Sequence, residues 1–365
     1  MPVTLYSENE QAPARGGRHT EGSSRPRSVE GSSSDLVIGL LNNMPDAALQ
    51  STEEQFRQLL GAASAGISVR LMLCRMPSVP RSEAAESYLR RSYVDFDSML
   101  DTEIDGLIVT GREPLTPDLR DEPYWDSFVR VLEWSRERTA STIWSCLAAH
   151  AAVLHLDGIQ RVRSKHKHCG VFDCSRTSNH PLFAQLPQHF RMPHSRWNGL
   201  PKDKLTGSGY ELLALAGDAG VDCFLRQETG ESLFLFFQGH PEYQPDTLLL
   251  EYRRDLLRYI RGEAAAWPGS PRGMLATKDE AALLEIQSHA HAMPEEEILA
   301  RLTAFFSATA IENGWRGTAK TIYRNWLEYL IAQKAHRAAD REPAAAASPI
   351  GGSPGQHQLE GTISS

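Results

Sequence analysis

The stretch "STIWSCLAAHAAVLHLDGI" (141–159) decides how this chain folds. It opens on five uncharged residues centred on Ile143 and Trp144, the composition of a strand covered on both faces. Cys146 ends that run. From Leu147 onward the segment is rich in alanine and leucine, which favour helix. A strand turning directly into a helix is the unit from which parallel sheets are built.

The unit recurs on either side. "DLVIGLL" (35–41) precedes the helical pattern "AALQSTEEQFRQLLGAA" (47–63), and "ISVRLMLC" (67–74) alternates as a strand does. "IDGLIVTG" (104–111) precedes "YWDSFVRVLEWSRE" (124–137), with apolar residues at helical spacing. Alternation of this kind predicts an α/β protein: a mainly parallel sheet, helices on both faces, and chemistry at the carboxyl ends of the strands. From about Gly170 the strands shorten, as in "ELLALAG" (211–217), "VDCFLRQ" (221–227) and "SLFLFFQ" (232–238). Helices are expected near 246–261 and 278–291, and again from Pro294 to about Lys334.

Composition sets the limits. Residues 1–34 are rich in Gly, Ser, Pro and Arg and are expected to be a disordered tail, as are residues 338–365. Between them, 35–262 is expected to form the catalytic domain and 263–337 a helical region packed on it. With 41% hydrophobic residues among 365 the chain can bury a core, and its net charge of -8 argues against a nucleic-acid partner. Five cysteines without a repeated spacing argue against a disulfide scaffold and for a reducing cytoplasm. Neither a signal peptide nor an 18-residue apolar run is visible, so no export and no membrane span are expected.

Cys146 stands where a strand gives way to a helix N-terminus, whose dipole and free amides favour a thiolate and can hold an oxyanion. A buried core cysteine fits the same position. His240 sharpens the reading, because it too follows a strong strand, "SLFLFFQG" (232–239), and Glu242 stands two residues on. A cysteine, a histidine and an acid gathered at one sheet edge is what nucleophilic catalysis requires. "KHKHCGVFDCSRTSNH" (165–180) offers His166, His168, Cys169, Cys174 and His180, but not two clean ligand pairs, so no metal site is expected.

The motifs "LLNNMP", "DGLIVTG", "PHSR" (193–196), "GHPEY" and "EYRRD", with "GWRGTAKTIYRNWLEYLI" (314–331), resemble those of the homoserine O-acyltransferases of the trans-succinylase type, relatives of the class I glutamine amidotransferases. The resemblance covers about 36–262 and returns near 314–331. It implies a flavodoxin-like three-layer sandwich of the amidotransferase type. It also implies Cys146 as acyl-thioester nucleophile, His240 as proton acceptor and Glu242 as its partner. Lys167, Ser195 and Arg254 fall on the family's substrate-contacting positions, with Glu251 in register on the same helix. The co-substrate implied is succinyl- or acetyl-coenzyme A, the acceptor homoserine in methionine biosynthesis, with no bound cofactor.

The sequence also departs from the family's pattern. The usual Cys-Trp-Gly/Ala-Ala-Gln run reads Cys146-Leu147-Ala148-Ala149-His150, which leaves the Leu147 amide for an oxyanion hole. Asp46 and Ala47 replace the lysines after "NMP". Ungapped alignment puts Leu115 at the position that separates acetyl from succinyl donors, and a bulky apolar residue there leans toward acetyl. Serine or another hydroxy-amino acid stays open as acceptor, and a glutamine amidotransferase-like hydrolase as the alternative enzyme. That alternative usually brings a glycine on each side of the nucleophile, which "WSCLAA" lacks. The segment 263–313 has little family counterpart and either lines a homodimer interface or covers the core.

Overall fold

A computed structural model describes residues 3–6, 35–290, 293–309 and 314–341. The strands are β1 (Thr4–Leu5), β2 (Asp35–Leu41), β3 (Ser68–Cys74), β4 (Gly106–Thr110), β5 (Ser141–Ser145), β6 (Val162–Arg176), β7 (His189–Gly199), β8 (Glu211–Leu215), β9 (Val221–Arg226) and β10 (Leu233–Phe237). The helices are α1 (Leu49–Ser64), α2 (Glu83–Ser92), α3 (Phe96–Leu100), α4 (Trp125–Arg138), α5 (Leu147–Asp157), α6 (Lys202–Gly207), α7 (Thr247–Ile260), α8 (Thr277–His289), α9 (Glu295–Ala308) and α10 (Arg316–Arg341).

One sheet runs through the fold in the order β1-β3-β2-β4-β5-β10-β9-β8-β6-β7. The strands from β1 to β10 in that order pair in parallel, and the rest pair antiparallel. The order β3-β2-β4-β5 is the doubly wound arrangement of the flavodoxin type.

Alternate residues of β2 show why its sequence is apolar from Leu36 to Leu41. Leu36, Ile38 and Leu40 pack with Phe56 and Leu59 of α1 and with Trp326 and Leu330 of α10. Val37 and Leu41 face the other way, toward Phe128 and Leu132 of α4 and Val153 of α5. Both faces are covered, so neither tolerates polar alternation.

Two boundaries differ from the sequence reading. Val3 is buried in the first core, and Tyr6 donates its amide to the Leu71 carbonyl at 3.0 Å, so β1 extends the sheet within the segment expected to be a tail. Three useful residues at the start of a polar segment vanish in a composition average. The remainder, 7–34, lies outside the described residues. At the other end α10 runs to Arg341, four residues past the expected limit, and 342–365 lies outside the described residues.

The helical region after 262 is also not all peripheral. α10 fills the sheet face beside α1, and Trp326 Nε1 donates to Ser141 Oγ at 2.9 Å. Gly106 permits that approach, because a Cβ there would stand 2.7 Å from Leu330 Cδ1. α8 and α9 instead pack on α7 through Leu283, Ile286, Ile298 and Leu302. None of the described helices is long and apolar enough to cross a membrane.

Candidate active site

Strands β5 and β10 are parallel neighbours, in register from Ser141↔Leu233 to Ser145↔Phe237. The residues after them therefore leave the sheet at one edge. Cys146 occupies the sharp turn into α5 at φ 52°, ψ −111°, a backbone setting uncommon for a residue with a side chain. Its amide donates to the Phe237 carbonyl at 2.7 Å, which ties the two strand ends together. Gly111, after β4, lies against the same turn. A Cβ on it would meet Leu147 Cβ at 2.5 Å and the Ala148 nitrogen at 2.6 Å. The Ala149 and His150 amides bond the Cys146 carbonyl, while those of Leu147 and Ala148 have no carbonyl one turn back, as an oxyanion hole would require.

His240 and Glu242 are both buried, and His240 Nδ1 lies 2.8 Å from Glu242 Oε1. With Nδ1 donating to the carboxylate, Nε2 is the nitrogen left for Cys146. Burial alone would push the imidazole's pKa down. The Cys146 sulfur and the Glu242 carboxylate outweigh it and hold the group well above the ordinary histidine range. A cysteine, a histidine and an orienting acid thus meet at one sheet edge, the arrangement nucleophilic catalysis requires.

The expected substrate residues gather nearby, but each already has a protein partner. Lys167 Nζ donates to Asp255 Oδ2 at 2.8 Å, while Arg254 Nη2 lies 3.1 Å from Asp255 Oδ1. Burial raises the Asp255 carboxyl, and the two cations more than reverse that. Ser195 Oγ donates to Glu251 Oε2, and the Tyr243 hydroxyl donates to Glu251 Oε1 at 2.6 Å. Glu251 therefore spends both oxygens inside the protein. Leu115 is 61% exposed, with its amide bonded to Glu122 Oε1 at 2.6 Å.

Three residues were not singled out by the sequence. Tyr243 stacks on His240, with centroids 4.1 Å apart and planes at 16°. Asp255 directly follows Arg254, so adjacency to a predicted cation was its signal. Arg196 is a buried guanidinium held by the Asn198 and Ala219 carbonyls. Burial pushes its pKa down while Cys146 and Asp222 oppose that, so it contributes a cation near Cys146.

The departures from the family pattern also find partners. His150 Nε2 lies 2.9 Å from Gln238 Oε1, and burial, with Arg196 nearby, lowers its pKa to about 3. Asp46 accepts from the Ser82 amide at 2.8 Å and pairs with Arg81. Among the described residues, the metal-like cluster is Cys174 with His194 and Asp222. Only Cys174 of these belongs to the histidine-rich stretch at 165–180. Arg196 Nε donates to His194 Nδ1 at 3.3 Å, which places the ring's proton on Nε2, 3.1 Å from Asp222 Oδ1. In that tautomer Nε2–H faces the Asp222 carboxylate and the Nδ1 lone pair is taken by Arg196.

Comparison with known proteins adds the remaining evidence. The chain is similar to solved glutamine amidotransferases from Thermotoga maritima (12% identity, TM-score 0.41, 82% of this chain and 98% of that one) and Methylobacillus flagellatus (13%, TM-score 0.43, 81% and 95%). It is 44% identical over 298 residues to a homoserine O-succinyltransferase of Rhodopseudomonas palustris, covering 82% of this chain and 89% of that one. It is 42% identical to one of Bradyrhizobium japonicum, covering 81% and 90%. The family profile described as homoserine O-succinyltransferase matches residues 22–337. By that match and these identities, the chain belongs to the homoserine O-succinyltransferase family of acyltransferases.

Proposed function

We propose that the protein moves an acyl group from acyl-coenzyme A to the hydroxyl of homoserine, as a step of methionine biosynthesis, by a two-stage cysteine mechanism. The observation that carries this reading is His240, with one nitrogen on Glu242 and the other left for Cys146 at the ends of paired strands.

In the first stage the Cys146 thiolate attacks the donor's thioester carbon. The carbonyl oxygen gathers charge near the amides of Leu147 and the turn, and coenzyme A leaves as a thiol with the proton of His240. In the second stage His240 Nε2 takes the proton of the homoserine hydroxyl, its oxygen attacks the acyl-enzyme, and Cys146 departs as thiolate. Arg254 and Lys167 would hold the amino acid's carboxylate by exchanging their present bonds to Asp255 for bonds to the substrate. The five free cysteines fit a cytoplasmic setting.

Succinyl is the acyl group favoured here. The named relatives carry it in their names. Arg112 lines a small cavity with Gly111, Tyr124, Leu147 and Ala148, and its Nε has no hydrogen-bond partner. It offers a cation for the distal carboxylate. The test is intact-mass measurement after mixing protein with succinyl-coenzyme A alone. One added succinyl mass on Cys146, discharged by homoserine, is expected. Label on Cys169, or none with either donor, would remove the mechanism.

A further inference from the structure

We infer that Tyr243 is the positioning residue for His240, and that Glu251 and Ser195 act on catalysis through it rather than through substrate. The inference rests on the reading of His240 as the base.

An imidazole can rotate about two side-chain bonds. The hydrogen bond from Nδ1 to Glu242 fixes one nitrogen, but it does not by itself fix the plane of the ring about that axis. The Tyr243 ring does, because it lies nearly parallel to the imidazole at 4.1 Å and blocks the swing. An aromatic face also favours the cationic form of the imidazole it covers, the form a thiolate–imidazolium pair requires.

Tyr243 is itself held at three points. Its amide donates to the His240 carbonyl at 3.2 Å, closing the turn. Its carbonyl accepts from Trp315 Nε1 at 3.0 Å, and Trp315 is fully buried at the entrance to α10. Its hydroxyl reaches Glu251 on α7, whose second oxygen is taken by Ser195 on β7. Burial, with Glu251 adding, keeps the phenol protonated well beyond ordinary pH, so it remains a donor. β7, the turn after β10, α7 and the start of α10 thus converge on the plane of one imidazole. A carboxylate with both oxygens bonded inside the protein is built to orient its neighbours, which is why Glu251 belongs to this chain of contacts.

The experiment compares Tyr243→Leu, Tyr243→Phe and Glu251→Gln with the wild type in three measurements. These are kcat with acceptor KM, the rate of Cys146 alkylation by iodoacetamide at pH 6 relative to pH 8, and Tm. Tyr243→Leu should lower kcat about 10- to 100-fold, the scale of a misplaced catalytic group, with acceptor KM changed less than about threefold. Alkylation at pH 6 should fall with it, because a free-swinging imidazole no longer supports the thiolate. Tyr243→Phe keeps the stacked face and loses only the anchor, so about a 3- to 10-fold loss is expected for it and for Glu251→Gln. Wild-type kcat and alkylation ratio in a folded Tyr243→Leu protein would overturn the inference. If that variant does not fold, the same two readouts in Tyr243→Phe and Glu251→Gln decide. A large rise in acceptor KM at unchanged kcat in Glu251→Gln would return Glu251 to the substrate. Full activity in His240→Ala would instead sink the catalytic reading on which this one stands.

Discussion

Lys167 and Arg254 share one carboxylate, that of Asp255, with Lys167 Nζ 2.8 Å from Oδ2 and Arg254 Nη2 3.1 Å from Oδ1. The two cations the family resemblance assigns to substrate are thus held in place by an internal acid. On the proposed reading, Asp255 occupies the place of the acceptor's carboxylate, which would replace it rather than fill a gap. Burial alone would lower the Arg254 pKa, but Asp255, with Glu251 nearby, more than offsets it and keeps that guanidinium charged and pre-aimed.

Arg254→Lys tests this directly. It keeps the charge but loses the planar fork that grips a carboxylate at two points. The acceptor KM should rise about tenfold, while acylation of Cys146 by the donor stays within a factor of two, because that stage precedes acceptor binding. The acylation burst and the acceptor KM are measured on one preparation. Both stages falling together with Tm would make Arg254 structural.

The residues proposed for catalysis were legible because their signals are local. Cys146 sits at a strand–turn–helix junction within a single stretch, and His240 and Glu242 are two residues apart after an apolar strand. Tyr243 was quoted within the same motif but given no role, because its role depends on Ser195 and Glu251, brought together only by β7 and α7. The β6–β7 hairpin was not read as strand either. The first half of β6, "VRSKHKH", is largely exposed and carries the charge pattern of a loop, and only its pairing with β7 reveals it.

His240→Ala should lower turnover by about two to four powers of ten, the usual worth of a placed general base. Glu242→Gln should cost less, since Glu242 orients the ring and supports its charge without carrying the reacting proton. The steady-state pH profile separates the two roles. Glu242→Gln removes an acid that raises the His240 pKa, so the limb of the profile set by that group should move to lower pH. An unmoved profile would detach Glu242 from the histidine.

Arg112→Ala tests the choice of donor. If its guanidinium receives the distal carboxylate, kcat/KM for succinyl-coenzyme A should fall about 10- to 100-fold, the range of a lost charged hydrogen bond. The value for acetyl-coenzyme A should change by less than threefold, since acetyl has no carboxylate to hold. Steady-state assays with both donors give the ratio directly. Equal losses would place Arg112 in the loop's structure instead.

His150 yields a prediction about acid. Its ordinary pKa is near 6.5, and burial lowers it to about 3 in the folded protein. The folded state therefore binds fewer protons than the unfolded chain between those values. Stability is unaffected above about pH 6.5 and is lost as pH falls through the window, by about 1.4 kcal/mol per pH unit at most. His194, lowered to about 4 by burial against the opposing pull of Asp222, adds a loss of the same sign. His150→Gln removes one of these groups and keeps a donor within reach of Gln238. Urea midpoints of the two proteins should agree near pH 8 and separate below pH 6.5, with the glutamine variant the more acid-resistant. Curves that stay parallel down to pH 4.5 would mean that His150 is protonated in the folded state, and that Gln238 is not its only support.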